Sequence, residues 1–219
     1  MKKNIYILLL FTFILGCNEH SIDSKDKAKK PLQRLIEGNE RFIQGKFQHH
    51  RSPQLLEELS KGQHPYAVIV SCSDSRISPN VLFDTDLGDL FIIRTAGNII
   101  GEVEIASVEY AIEHLHSPLI VVLGHSQCGA IEAFLGNETA HGHIKTLIDS
   151  LKAEPEQQDL LKAHDLNPNH YVQSNIVHQA KYLKTNSSII QNQIQKGSLK
   201  IVEAYLDTKT GKVSFNPNQ

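Results

Sequence analysis

Stretches with apolar residues every three or four positions alternate along this chain with short, continuous apolar runs. Leu32, Leu35, Ile36, Phe42 and Ile43 fall at helical spacing, which predicts an amphipathic helix over 32–45 ending at Gly45. A second helix is predicted over 53–61, opened by Pro53 and closed before Gly62. Residues 66–71 (YAVIVS), 90–93 (LFII) and 119–123 (LIVVL) are short and rich in β-branched residues, as buried strands are. Residues 102–116 return to helical spacing, and 130–152 read as helical pieces broken near Gly136 and Gly142. Pro155 and Pro168 bracket a polar helical stretch, and one long helix is predicted over 169–196. Two final strands, 198–206 and 212–215, flank a Thr210-Gly211 turn. Buried strands alternating with helices predict one α/β domain over 32–219, its sheet mostly parallel and flanked by helices, with an N-terminal helical arm.

The first thirty residues follow a different pattern. Lys2 and Lys3 precede an apolar run from Ile5 to Leu15, broken only by Thr12. Such a run spans about 17 Å as a helix, short of a hydrocarbon core of about 30 Å, so it reads as an export signal. Its end, Ile14-Leu15-Gly16-Cys17, resembles the bacterial lipobox. The resemblance implies removal of residues 1–16 and a lipid on Cys17. Residues 17–31 are polar, without apolar periodicity, and read as a flexible tether. The expectation is an exported protein, lipid-anchored on the periplasmic side of a bacterial membrane. Asn18 after the lipidated Cys favours the outer membrane by analogy.

Composition narrows the function further. The chain has 219 residues, 22 Lys+Arg against 24 Asp+Glu, and is 40% hydrophobic. That is enough apolar residue for a core and too much for a disordered chain. The near-zero balance of charge gives no reason to expect nucleic acid as a partner. Three Cys do not make a disulfide scaffold.

In open parallel sheets, functional residues gather beyond the carboxyl ends of strands. Two chemically rich loops fall there: Cys72-Ser73-Asp74-Ser75-Arg76 after 66–71, and Gly124-His125-Ser126-Gln127-Cys128-Gly129 after 119–123. If those strands are neighbours, Cys72, His125 and Cys128 converge. Two thiolates and an imidazole suit zinc, and three protein ligands leave one exchangeable position. The same cysteines are also compatible with buried small side chains or a disulfide, and His125 with a hydrogen-bonded core residue. Asp74 and Arg76 lie two apart, on one side of an extended segment. An Arg holding a carboxylate bidentately keeps it ionised, able to accept a hydrogen bond from a metal-activated water and orient the hydroxide. A structural ion pair, or Asp74 as a fourth ligand in a closed state, fits the same spacing.

CSDSR at 72–76 and GHSQCGA at 124–130 resemble the two signatures of β-class carbonic anhydrases. KGQHP at 61–65, GDLFIIRTAGN at 88–98 and SVEYAI at 107–112 continue the resemblance through residues 32–135. It implies the β-carbonic anhydrase fold, one zinc ion per subunit on Cys72, His125 and Cys128, and Asp74 with Arg76 as catalytic dyad. It places Gln63, Phe91, Tyr110 and Gly129 as substrate-binding groups, and carbon dioxide and bicarbonate as the small-molecule partners. It also implies a homodimer or tetramer with active sites at the subunit interface, the N-terminal arm packing on the partner. The implied activity is the reversible hydration of carbon dioxide to bicarbonate and a proton.

Thr95 stands where the family usually has Asn. Ile69 stands where some members have a Trp that serves a second bicarbonate site, which argues against that form of inhibition. None of the other His residues is identifiable as a proton shuttle; His64, beside Gln63, is nearest in sequence. Relatives of the same fold hydrolyse carbon disulfide or carbonyl sulfide with the same ligands, and these motifs do not separate them. A zinc-stabilised bicarbonate-binding lipoprotein without turnover is a third reading.

Overall fold

The computed structural model describes residues 30–48, 53–136 and 140–216. The export signal, Cys17 and nearly all of the tether lie outside the described residues. Five strands form one sheet in the order β2-β1-β3-β4-β5. They are β1 (Ala67–Cys72), β2 (Leu90–Thr95), β3 (Leu119–His125), β4 (Lys200–Leu206) and β5 (Val213–Asn216). The first four are parallel; β5 returns antiparallel along β4. Every residue of β1 and β3 is buried, as the continuous apolar runs require of strands covered on both faces.

Alternate side chains serve opposite layers. Val68, Val70, Ile120 and Val122 face one core, where they meet α4 (Glu102–Glu113), α5 (Gly129–Leu135), α6 (Ile144–Ala153), α8 (Pro168–Asn186) and α9 (Ser188–Gln195). Ala67, Ile69, Val121 and Leu123 face the other, under α1 (Pro31–Gln44), α3 (Pro79–Leu82) and Phe83. The remaining helices are α2 (Pro53–Leu59) and α7 (Pro155–Lys162). This is the helix-flanked, mostly parallel sheet that the apolar runs predict.

The N-terminal arm divides into two unlike pieces. Helix α1 packs on the sheet of its own chain through Leu35, Gly38 and Asn39, whereas α2 buries no residue. A Cβ on Gly38 would lie 1.8 Å from the Phe83 carbonyl oxygen, so the contact needs glycine. Asn39 donates to the carbonyls of Leu82 and Gly211 and accepts the Val213 amide, tying α1 to the β4–β5 turn.

The long helix expected over 169–196 is two helices broken at Ser187. Ser187 leaves helical geometry at φ −128, accepts the Ile190 amide on Oγ and donates to Glu109 Oε1 at 2.6 Å. A hydroxyl that caps the next helix competes with continuation of the first. Helix α3 and a 3₁₀ turn at Ala96–Asn98 were not expected from the pattern; both are too short to show a period.

Glu154 is a buried carboxyl with no cation among its hydrogen-bond partners, 2% exposed between α6 and α7. Gln157 Nε2 donates to one oxygen and Gln179 Nε2 to the other. Burial pushes its pKa up to about 8, against those two donors and with the charge of Glu156 adding to the rise. The folded chain therefore keeps a proton that the unfolded chain releases above the ordinary value of 4.5. Stability from this group is full at acid pH and falls as pH rises toward 8. Glu154→Gln should remove the slope, so that its stability relative to the parent rises by on the order of 3 kcal/mol between pH 5 and pH 8, on top of a constant cost where its NH₂ group faces the Gln157 or Gln179 donor. Melting temperatures of both proteins across that range check it; a constant difference would contradict it.

Candidate metal centre

Strands β1 and β3 are neighbours, so the two loaded loops emerge side by side. Cys72 ends β1, His125 ends β3, and Cys128 is the residue from which α5 starts. The ligand atoms of Cys72, His125 and Cys128 all lie within 4.8 Å of one another, and all three residues are buried. Both thiols are free, so the disulfide alternative is not what the chain adopts.

The imidazole is set up as a donor. His125 Nδ1 lies 2.9 Å from the Ser126 carbonyl oxygen, a contact that places the proton on Nδ1. Nε2 is buried and, among the described residues, has no hydrogen-bond partner. A buried ring nitrogen without a partner is costly unless something takes its lone pair. Two sulfurs within reach of that nitrogen make a soft donor set of the kind zinc prefers.

Charge at the cluster agrees. The Cys128 thiol beside it draws the Cys72 pKa down to about 4, against burial and helped by His125 and the amides of Asp74 and Gly97. Cys128 moves the opposite way, because its proton is held against the Cys72 sulfur and because it is buried. The pair thus holds one thiolate readily and a second proton that a cation would displace. Burial works to lower the His125 pKa, but the Cys72 sulfur, the Ser126 carbonyl and the Asp74 charge outweigh it and the net shift is upward.

Asp74 and Arg76 do meet, although the segment is not extended. The Ile77 amide donates to the Asp74 carbonyl at 2.9 Å and the Arg76 amide to Asp74 Oδ1 at 2.9 Å, so a turn brings the two side chains together. Arg76 Nε donates to Oδ1 at 2.9 Å and Nη2 to Oδ2 at 2.7 Å. This bidentate grip holds the Asp74 carboxyl well below the usual carboxylate range, against partial burial. Asp74 is not part of the three-residue cluster; its carboxylate is turned to Arg76. Arg76 Nη2 also reaches the Gln127 carbonyl at 3.0 Å, linking the two loops. Gln127 sits at φ 55, a left-handed conformation costing about 1 kcal/mol, kept where function can use it.

Two groups at the site carry no role in the sequence reading. Arg94 Nε donates to the Cys72 carbonyl at 3.3 Å and Nη2 to the Asp74 carbonyl at 2.8 Å, pinning the loop from β2. The Gly97 amide donates to Cys72 Sγ at 3.3 Å. Both lie in GDLFIIRTAGN, so the stretch was visible but its contacts were not. Gly129, first residue of α5, has open space in front of it: a Cβ there would meet no atom within 4 Å.

Three expected substrate groups are not brought to the cluster within one chain. Gln63 precedes the amino end of β1, whereas Cys72 ends it, a separation of about 16 Å along the strand alone. Phe91 pairs with Val68, four residues before the end of edge strand β2. Tyr110 lies near it, ring centroids 6.2 Å apart and planes tilted by 43°, and is 48% exposed. Gln63 and His64 are exposed.

Comparison with known proteins agrees with this geometry. A family model described as Carbonic anhydrase matches residues 67–213. Carbonic anhydrase 2 of Mycobacterium tuberculosis is 38% identical over 175 residues, covering 77% of this chain and 83% of that protein. A carbonic anhydrase of Synechocystis is 38% identical over 189 residues, covering 78% and 65%. The solved β-carbonic anhydrase CcaA aligns with a TM-score of 0.69 at 35% identity, covering 86% of this chain and 92% of that one. The matched span contains β1, β3 and all three members of the Cys-His-Cys cluster. The chain belongs to the β-carbonic anhydrase family.

Proposed function

We propose that this enzyme catalyses the reversible hydration of carbon dioxide with one zinc ion held by Cys72, His125 and Cys128. The observation that carries the reading is the unpartnered, buried His125 Nε2 facing two free thiols, beside an ionised and immobilised Asp74. When bound there, zinc supplies a water of lowered pKa and a positive charge for the oxygen that becomes negative. Asp74 accepts a hydrogen bond from the attacking water and turns its lone pair toward the carbon. Arg76 keeps that carboxylate ionised and fixed, and the turn at 74–77 sets its direction. Open backbone at Gly129 admits the product anion.

Gln63, Phe91 and Tyr110 fit as substrate groups only if a second copy supplies them, since their own chain places them away from its cluster. Val103 is 74% exposed and two helical turns from Tyr110 on α4, next to edge strand β2. An exposed apolar stripe beside an unpaired edge suits burial against another copy, so we assign a homodimer or tetramer. Export and a lipid on Cys17 belong to the same proposal and rest on the sequence pattern of residues 1–31.

Stopped-flow measurement with a pH indicator tests the activity. Zinc-loaded protein should hydrate carbon dioxide at least a hundredfold faster than buffer. No rate above buffer at full zinc loading, or turnover of carbon disulfide or carbonyl sulfide alone, would overturn it.

A further inference from the structure

A chain of buried amides runs from the α6–α7 corner to the sulfur of Cys72. The Gly97 amide, on Cys72 Sγ, is its last link. The Gly97 carbonyl accepts Asn175 Nδ2 at 2.8 Å. One turn along α8, Gln179 Nε2 donates to Asn175 Oδ1 at 3.1 Å, and its Oε1 accepts the Ile100 amide at 2.9 Å. Two neighbouring side chains of one helix thus hold the segment 97–100 by its carbonyl at one end and its amide at the other. Gln179 is braced by Glu154 Oε1 at 2.8 Å. Glu154 is braced by Gln157, which is tied to the Tyr171 carbonyl at 3.0 Å.

Asn175, Gln179, Glu154 and Gln157 are each 3% exposed or less, within the apolar layer on this face of the sheet. Apolar side chains of similar size would fill that space without needing partners. The turn they hold is confined on its other side too. Gly97 has φ 66, and a Cβ there would lie 3.0 Å from the Ala130 side chain, two residues after Cys128. Gly97 therefore sits between the sulfur of one cluster residue and the helix that carries another.

We propose that Asn175 and Gln179 are positioning residues for the metal ligand Cys72, holding the Gly97 amide on its sulfur. This rests on the metal-centre reading above. An N–H aimed at a thiolate draws charge from the sulfur, which then donates less to the metal and leaves it the stronger Lewis acid. Without that amide the sulfur donates more and the activated water becomes less acidic, while the thiolate, no longer held or kept unprotonated by the hydrogen bond, lets the metal go faster. Glu154 acts one step further back, as the fixed end of the network.

The test compares zinc-loaded parent, Asn175→Ala, Gln179→Met and Asn39→Ala. Asn39 is an equally buried amide on α1, outside this network, and reports what lost stability alone does. Zinc transfer to a colorimetric chelator should be at least tenfold faster in Asn175→Ala and Gln179→Met. In cobalt-substituted protein their thiolate-to-cobalt band should shift, and the pH profile of kcat/KM should move alkaline. Asn39→Ala should keep the parent's release rate, band and profile. Parent-like release and band in a folded Gln179→Met, which preserves side-chain volume, would overturn the proposal even if Asn175→Ala fails to fold. So would equal acceleration in Asn39→Ala. The release comparison needs no turnover, so a zinc-binding protein inactive on carbon dioxide would sink the activity and leave this proposal standing.

Discussion

Cys128→Ser is expected to yield a folded protein that has lost its zinc and hydrates carbon dioxide no faster than buffer. Position 128 is the N-cap of α5, where the sulfur makes no capping hydrogen bond but the Ala130 and Ile131 amides favour its charged form. A serine oxygen accepts such amides at least as well, so the helix start survives the change. What is lost is a group that ionises. A binding free energy of about 10–16 kcal/mol in a four-ligand structural site is about 3 kcal/mol per ligand, so losing one of the three here costs more than a hundredfold in affinity. Zinc per chain, measured by elemental analysis after dialysis, should fall from about one to below a tenth, with the far-ultraviolet circular dichroism unchanged. Full retention of zinc would show that the ligand set has been misassigned.

The convergence at that centre was legible because its two loops follow strands with unmistakable apolar runs. Once β1 and β3 are adjacent, the carboxyl-end rule leaves little freedom for Cys72, His125 and Cys128. The Asp74–Arg76 pair was legible as a pair but not in its geometry. Spacing two apart puts the side chains together only in an extended segment, whereas here the Arg76 amide bonding Asp74 Oδ1 makes a side-chain turn that does so. Local side-chain-to-backbone bonds of this kind leave no hydrophobic period to read. The break at Ser187 was hidden for a related reason: apolar residues on both sides keep helical spacing, and only one hydroxyl decides that the helix stops. Long-range contacts such as Asn175 to Gly97, 78 positions apart, have no signature in a single sequence.

Assembly is where a single chain and its chemistry part company. The metal cluster lies at the carboxyl edge of the sheet, and Gln63 before the amino end of β1. The resemblance implied Gln63, Phe91 and Tyr110 as substrate groups, and within this chain Gln63 lies at the opposite end of β1 from Cys72, which is why the proposal above draws on a second copy. The exposed stripe of Val103 and Tyr110 beside edge strand β2 gives those residues a physical reason to meet another copy.

Asp74→Asn is expected to keep one zinc per chain while kcat falls on the order of 10²-fold, the range of a lost positioning contact. Zinc should stay because Asp74 lies outside the ligand cluster and its carboxylate is engaged with Arg76. The rate should fall because an uncharged amide is a weaker acceptor for the water's hydrogen bond and no longer orients it. Its NH₂ group would also face Arg76 donors or displace them. Because Arg76 holds the Asp74 pKa far below the usual range, the carboxylate stays ionised across ordinary assay pH. Lowering the pH from 8 to 5 therefore does not switch Asp74 off, and any loss of parental activity over that interval belongs to other groups. Arg76→Lys should fall between parent and Asp74→Asn, since an ammonium replaces a two-point grip with one. Stopped-flow rates on metal-quantified samples decide the matter. An Asp74→Asn enzyme with the parent's rate would remove the dyad from the mechanism, and one that lost its zinc would make Asp74 a ligand instead.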